Sequence, residues 1–240
     1  FKDKIIYVVI DKEPNNIIKA GDRLLTTVEK RSNSLKRIEL SYDHMANSLD
    51  TALDDDLIIL SDNDEIPNLD SIKFKSSNKD IFIFRQLFFY YKFNLLYDLL
   101  PWHGSKAAKK KKLLSMSWLR NLKNRQYPFW RLDTLFSNNK YINLDIIDDG
   151  GWHFTNLMTP EKLYQKLTNF GHHDEFELSG LTVDDLKKKI DKKKVFFNHF
   201  LDKENYKERW NFDYDLKKID NELLPQYLKN NSEKFKEWFD

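Results

Sequence analysis

The chain has 240 residues, with 40 Lys and Arg against 38 Asp and Glu, no cysteine, 40% hydrophobic and 15% aromatic residues, a size that fits one globular α/β-sized domain or at most two small ones; with no internal repeat and no linker rich in Gly, Pro or Ser, one domain over 1–240 is the simpler expectation. Lacking cysteine, it excludes a disulfide scaffold, a Cys-based zinc site, a thiol nucleophile and a redox dithiol. A formal net charge of +2 exerts no general pull on nucleic acid or an anionic membrane, so no nucleic-acid partner is expected and any anionic partner must be held by local charge.

The run KIIYVVI at residues 4–10 predicts a strand buried on both faces, as in a parallel sheet. From Tyr42 the apolar residues Met45, Leu49, Ala52 and Leu53 recur at spacings of three and four, predicting a helix over residues 42–53. LIIL at residues 57–60 predicts a second buried strand. Strand, helix and strand in this order read as a βαβ unit with a right-handed crossover. Residues 80–91 alternate and are strongly aromatic, which predicts a long strand or a bent pair. Residues 102–131 mix aromatics with lysines and read as a surface crossing before strand character resumes at residues 140–147. Thr159 and Pro160 supply the start of a helix with Leu163, Leu167 and Phe170 as its apolar stripe. Thr182 and Asp185 have capping-box spacing and open another helix, and residues 222–239 read as short helices. No apolar run approaches the roughly 20 residues of a membrane-spanning helix, and no secretory leader is visible, although the chain opens on Phe1 rather than Met.

Two segments carry chemistry. In LIILSDNDEIP, residues 57–67, three carboxylates follow directly on an apolar strand, where ligands bind in open α/β sheets. Asp62 and Asp64 can offer oxygens to one hard divalent cation bridged to a diphosphate. A solvated turn in which either aspartate caps the backbone is the plainer alternative. In DDGGWHFT, residues 148–155, Gly150 and Gly151 permit close backbone approach, Trp152 offers a face for sugar stacking and His153 is a base or metal ligand. A tight turn feeding a core strand is the alternative there. His172, His173, Asp174 and Glu175 are ligand types but read as a surface helix end. The lysines of residues 106–112 read as a solvated face that can hold phosphate.

In this order, the segments resemble glycosyltransferase family 17: residues 57–67 match its strand followed by S-D-x-D-E-I-P, and Gly150, Gly151, Trp152, His153 and Phe154 match its second motif. Further matching pieces are the expected strand of residues 4–10, residues 88–94, Trp102 to Ser105 with Leu119 and Arg120, residues 166–176 and residues 224–239. The resemblance implies a GT-A-like mixed sheet flanked by helices, and an inverting transfer of N-acetylglucosamine from UDP-GlcNAc to a glycan acceptor of the kind found in N-glycan processing or polysaccharide biosynthesis. It implies Mn²⁺ or Mg²⁺ held by Asp62 and Asp64, with His153 as an optional third ligand. Gly150, Gly151 and Trp152 join those aspartates around the nucleotide sugar, and Glu65, Asp149 and His153 are candidate bases for the acceptor hydroxyl. The family's usual opening strands are missing, so the sequence reads as a fragment that binds UDP weakly by itself. The competing expectation is a non-catalytic glycan-binding or polysaccharide-assembly protein on the same fold. A cytoplasmic location is expected for a bacterial or viral protein, which is the preferred reading, and the Golgi lumen for a eukaryotic one with an upstream anchor.

Overall fold

Thr26 stops the chain from being extended and starts a helix: its hydroxyl accepts from the Glu29 amide while the Glu29 carboxylate accepts from the Thr26 amide, the reciprocal arrangement of a capping box. The computed structural model describes residues 2–169, 173–201 and 205–240. In chain order its elements are α1 (Thr27–Ala46), β1 (Leu57–Leu60), β2 (Glu65–Pro67), α2 (Ile72–Ser76), β3 (Ile81–Tyr90), β4 (Leu95–Leu96), β5 (Trp102–Lys109) and α3 (Met116–Asn121). There follow β6 (Leu144–Ile147), β7 (Gly151–Thr155), α4 (Pro160–Asn169), α5 (His173–Ser179), α6 (Val183–Asp191), β8 (Lys194–Val195), α7 (Tyr206–Trp210), β9 (Tyr214–Asp215), β10 (Lys217–Lys218) and α8 (Gln226–Asn230). The architecture is mixed α/β, with a mixed sheet and flanking helices. Among the described residues no helix is long and apolar enough to cross a membrane.

The chain divides into two compact units, the first made of residues 1–60, 77–83 and 106–146 and the second of residues 61–76, 84–105 and 147–240. In the first, β1 runs antiparallel to β5, with Leu57 opposite Lys109 and Leu60 opposite Lys106. Leu60, Ile81, Ile83, Ala108, Leu119, Leu122 and Leu144 form its core, and Tyr42 and Met45 of α1 pack against it. The expected helix over residues 42–53 is thus the end of a longer one. It starts at Thr27 because the Thr26 cap lies there, and beyond Ala46 it passes through a single 3-10 turn (Asn47–Leu49), leaving Leu53 71% exposed.

Residues 5–10 overturn the expected first strand and with it the βαβ unit. They form no strand and are 38% to 86% exposed. An apolar run signals a wish for burial but does not supply the hydrogen-bonding neighbours that a strand needs, and among the described residues none pairs with it. Residues 102–109 overturn the expected surface crossing. They form β5, with Ala107 and Ala108 fully buried, because small residues let the strand pack closely where lysines suggested solvent. Two of the lysines are satisfied internally, Lys106 Nζ donating to the carbonyls of Arg120 and Leu122 at 2.8 and 2.7 Å and Lys110 Nζ to those of Leu49 and Ala52, while Lys111, paired with Asp55, and Lys112 are exposed as expected. Lys106 is almost wholly buried, so Lys106→Met, which strands two carbonyls, is expected to cost about 2 to 4 kcal/mol, measured as a shift in the urea unfolding midpoint.

The second unit holds a mixed sheet in the order β2, β7, β3, β4, β10, in which only the β7–β3 pairing, with Phe88 opposite His153, is parallel. Strand alternation divides β3 between two cores. Phe88 and Tyr90 face Leu163 and Leu167 of α4, Phe176 of α5, Leu186 of α6 and Trp210 of α7. Phe89 faces Phe154, Leu224 and Leu228. Both faces of this sheet are therefore covered, which explains why residues 80–91 read as apolar on both sides. The α4 and α6 starts fall at Pro160 and at the Thr182–Asp185 capping box, as the sequence predicts. Phe170 and His172 lie outside the described residues. His173 and Glu175 do not form a surface helix end: both are buried, and Glu175 Oε2 accepts from Arg209 Nη1 at 2.7 Å, the pairing that lets a carboxylate leave water.

Candidate functional site

The site is built by one register. After Ser61 the chain turns, the Glu65 amide bonding the Asp62 carbonyl at 3.0 Å and the Asp62 amide bonding Glu65 Oε2 at 3.2 Å. It then enters β2, which runs antiparallel to β7 with Glu65 opposite His153 and Pro67 opposite Gly151. The Phe154 amide bonds the Asp64 carbonyl at 2.8 Å. The two motifs, far apart in the chain, are thereby adjacent backbone.

That register requires the glycine pair. Gly151 has φ +114°, and a β-carbon there would lie 2.1 Å from the Ile66 carbonyl oxygen; one on Gly150 would lie 2.5 Å from the Arg85 amide nitrogen. Both positions are close approaches of backbone to backbone, which only glycine allows.

His153 is 5% exposed and packs against the rings of Phe88 and Trp102, with centroid separations of 4.8 and 4.5 Å and interplanar angles of 23° and 26°, while those two rings also touch each other at 5.1 Å. Its Nε2 is 3.4 Å from Asp64 Oδ2, while Nδ1 is buried without a hydrogen-bond partner among the described residues. A proton on Nε2 suits the carboxylate opposite. Burial pushes the Asp64 carboxyl up, but the hydrogen bond and charge of His153 and the charge of Lys166 outweigh it and hold the group below its ordinary value. Asp64 thus stays ionised, and it remains partly open to solvent. Asp62, on the same turn, is exposed.

Glu65 is buried. Its Oε1 accepts from Trp102 Nε1 at 2.7 Å, and its Oε2 receives the longer contacts from the Asp62 amide and from Ser105 Oγ at 3.5 Å. Ser105 Oγ also meets Ser61 Oγ and accepts from Gln86 Nε2 at 3.2 Å. Gly104 makes the room, since a β-carbon there would lie 2.7 Å from the Glu65 carboxyl carbon.

Asp149 and Trp152 do not join this cluster. The Asp149 carboxylate accepts from Ser71 Oγ at 2.5 Å and its carbonyl from Asn68 Nδ2 at 3.0 Å. At about 3.3 Å per residue that end of β7 is on the order of 15 Å from the Asp64 end. Trp152 points from the opposite face, its indole donating to the Leu223 carbonyl at 2.6 Å within the core around Phe154. The sequence leaves Gln86, Trp102, Gly104 and Ser105 unmarked as cluster members; the available signal is the small pair Gly104 and Ser105 beside Trp102, inside a segment expected at the surface.

Beside the cluster is a cavity of about 170 Å³ lined by Tyr90, Asn156, Lys166, Phe197, His199 and Trp210, among others. A wider one, about 450 Å³, is lined by Asn94, Lys218, Glu233, Lys236 and Asp240 and shares no residue with the cluster. In the smaller cavity Tyr90 Oη is 2.5 Å from His199 Nε2. Burial, then the charges of Arg209 and His153, push the His199 imidazole down to about 4. Below pH 6.5 the unfolded chain takes up a proton that the folded one refuses, so stability is complete above pH 6.5 and falls as pH drops from 6.5 to 4, by about 3 kcal/mol over that window. Urea midpoints across pH 4 to 7 are expected to show this decline, and His199→Gln to flatten it.

No family model, no curated protein and no solved structure matches the chain.

Proposed function

We propose that this protein is a cation-assisted glycosyltransferase that moves N-acetylglucosamine from UDP-GlcNAc to a glycan hydroxyl with inversion. The observation that carries this reading is the junction of the two sequence motifs as paired strands, which places an ionised Asp64, Glu65 and His153 in one cluster. The resemblance of those motifs to glycosyltransferase family 17 supports the donor and the reaction class.

Asp62 and Asp64 are hard oxygen donors on one solvent-facing turn, a chemistry that fits Mn²⁺ or Mg²⁺. Among the described residues no third His, Asp or Glu completes a ligand group with them, so the remaining ligands would come from a diphosphate and water, the usual manner of binding for ions of this kind. When bound, the cation neutralises charge on the departing UDP. His153 then acts as a positioning residue, holding one Asp64 oxygen through Nε2. The acceptor oxygen attacks the anomeric carbon from the face opposite UDP, the carbon–phosphate oxygen bond breaks with its electrons to UDP, and the hydroxyl proton goes to a carboxylate. We assign that carboxylate to Glu65, which stands in one cluster with Asp64 and His153, since Asp149 is held by Ser71 at the other end of β7 and His153 Nε2 faces Asp64. The aromatic cavity beside Lys166 has walls suited to a sugar ring.

UDP release from UDP-GlcNAc, with Mn²⁺ and a panel of oligosaccharide acceptors, tests the reading. The wild type is expected to turn over, and Glu65→Gln, which keeps the acceptor for Trp102, to lose about a hundredfold or more in kcat with little change in donor KM. Glycan binding without any UDP release would replace this reading with the non-catalytic one.

A further inference from the structure

The first unit exposes an apolar face that its own core does not use. Phe129, Trp130, Leu132, Leu135 and Phe136 are 66% to 90% exposed, and they fall within eight residues. The Phe129 and Trp130 rings stand edge to face at 5.1 Å. The stretch Leu132–Phe136 is a 3-10 helix, whose three-residue turn puts Leu132 and Leu135 in one row, while the buried Thr134 points inward. Scattered exposed hydrophobics need no account, but a contiguous group of large ones marks an interaction surface.

Charge identifies what it meets. Between residues 120 and 140 the basic side chains Arg120, Lys123, Arg125, Arg131 and Lys140 face a single acid, Asp133, giving this stretch a larger net positive charge than the entire chain's +2. Arg131 and Lys140 share Asp133. Lys123 and Arg125 are exposed and form no ion pair among the described residues. Arg125, Arg131 and Lys140 all lie within about 6 Å of the Tyr127 ring, which gathers them around a residue two positions before the apolar group begins. Exposed aromatic and leucine side chains in one basic stretch match the interface of an anionic bilayer, where rings sit at headgroup depth and Lys and Arg reach phosphates.

We propose that residues 120–140 dock this protein on the surface of an anionic phospholipid membrane, with Phe129, Trp130, Leu132, Leu135 and Phe136 inserted at the headgroup level. This does not rest on the enzymatic reading. Co-sedimentation of the full chain with phosphatidylcholine vesicles, with and without phosphatidylserine, tests it. The wild type is expected to bind the anionic vesicles at least tenfold more tightly than the neutral ones. Trp130→Ser with Phe136→Ser, at exposed positions that leave the unfolding midpoint unchanged, is expected to lose at least tenfold, and Lys123→Glu with Arg125→Glu a similar amount. Three results would overturn the proposal: no binding to anionic vesicles, equal binding by the Trp130→Ser, Phe136→Ser variant, or self-association of the wild type that this variant abolishes without affecting vesicle binding, which would make the face a protein interface.

Discussion

Replacing Gly151 by alanine is expected to destabilise the protein by about 4 kcal/mol or more, among the largest effects of any single substitution here. Two costs add. The φ of +114° lies where an L side chain is strained, and the new β-carbon would meet the Ile66 carbonyl oxygen at 2.1 Å and the Asn68 amide nitrogen at 2.7 Å. These are backbone atoms of β2 and its continuation, so relief requires β2 to move off β7. That movement would also part Asp64 from His153, because both depend on the same register. Gly180→Ala is the control: its φ is +70° but nothing lies within 4 Å, so only the left-handed conformation is penalised, by about 1 to 2 kcal/mol. Urea unfolding of the two variants is expected to separate them by at least 2 kcal/mol, and equal midpoints would mean that β2 and β7 are not in close contact.

His153→Ala is expected to weaken Mn²⁺-dependent UDP binding about 10- to 100-fold, the usual cost of removing a group that orients a metal ligand. Nε2 faces Asp64 at 3.4 Å, Nδ1 is enclosed, and the ring packs against both Phe88 and Trp102. A general base would show the opposite pattern, losing turnover while keeping UDP affinity. His153→Gln retains a side-chain N–H and is expected to recover part of the affinity, whereas a purely packing role would predict that His153→Phe does better than His153→Gln. Without cation, the three variants and the wild type are expected to bind UDP alike.

The site was legible in the sequence to the extent that local backbone chemistry wrote it. A carboxylate cluster after an apolar strand and a glycine pair before an aromatic strand are both local signals, and they brought Asp64, Glu65 and His153 to notice. What the glycines do was readable only in part: they allow close approach, but of backbone to backbone, which is the plainer of the two readings weighed for them. Trp152 and Asp149 show the limit. A strand's period of two puts Trp152 on the face opposite His153, so the two expected site residues part company, and which face held the cluster depended on the partners of β3. Residues 5–10 and 102–109 failed for a common reason. Composition reports how much a segment prefers burial, and the partner that grants or withholds it lies elsewhere in the chain, as Ala107 and Ala108 found one and Ile5 and Tyr7 did not.

Calorimetric titration with UDP, in Mn²⁺ and again in EDTA, on the wild type and on Asp64→Asn, tests the central claim most directly. The account predicts that the cation raises wild-type affinity at least tenfold and that Asp64→Asn, which keeps the side chain's shape but removes the charge that a hard cation requires, abolishes the increase. Equal affinity for UDP in Mn²⁺ and EDTA, or an Asp64→Asn protein as responsive to Mn²⁺ as the wild type, would contradict it.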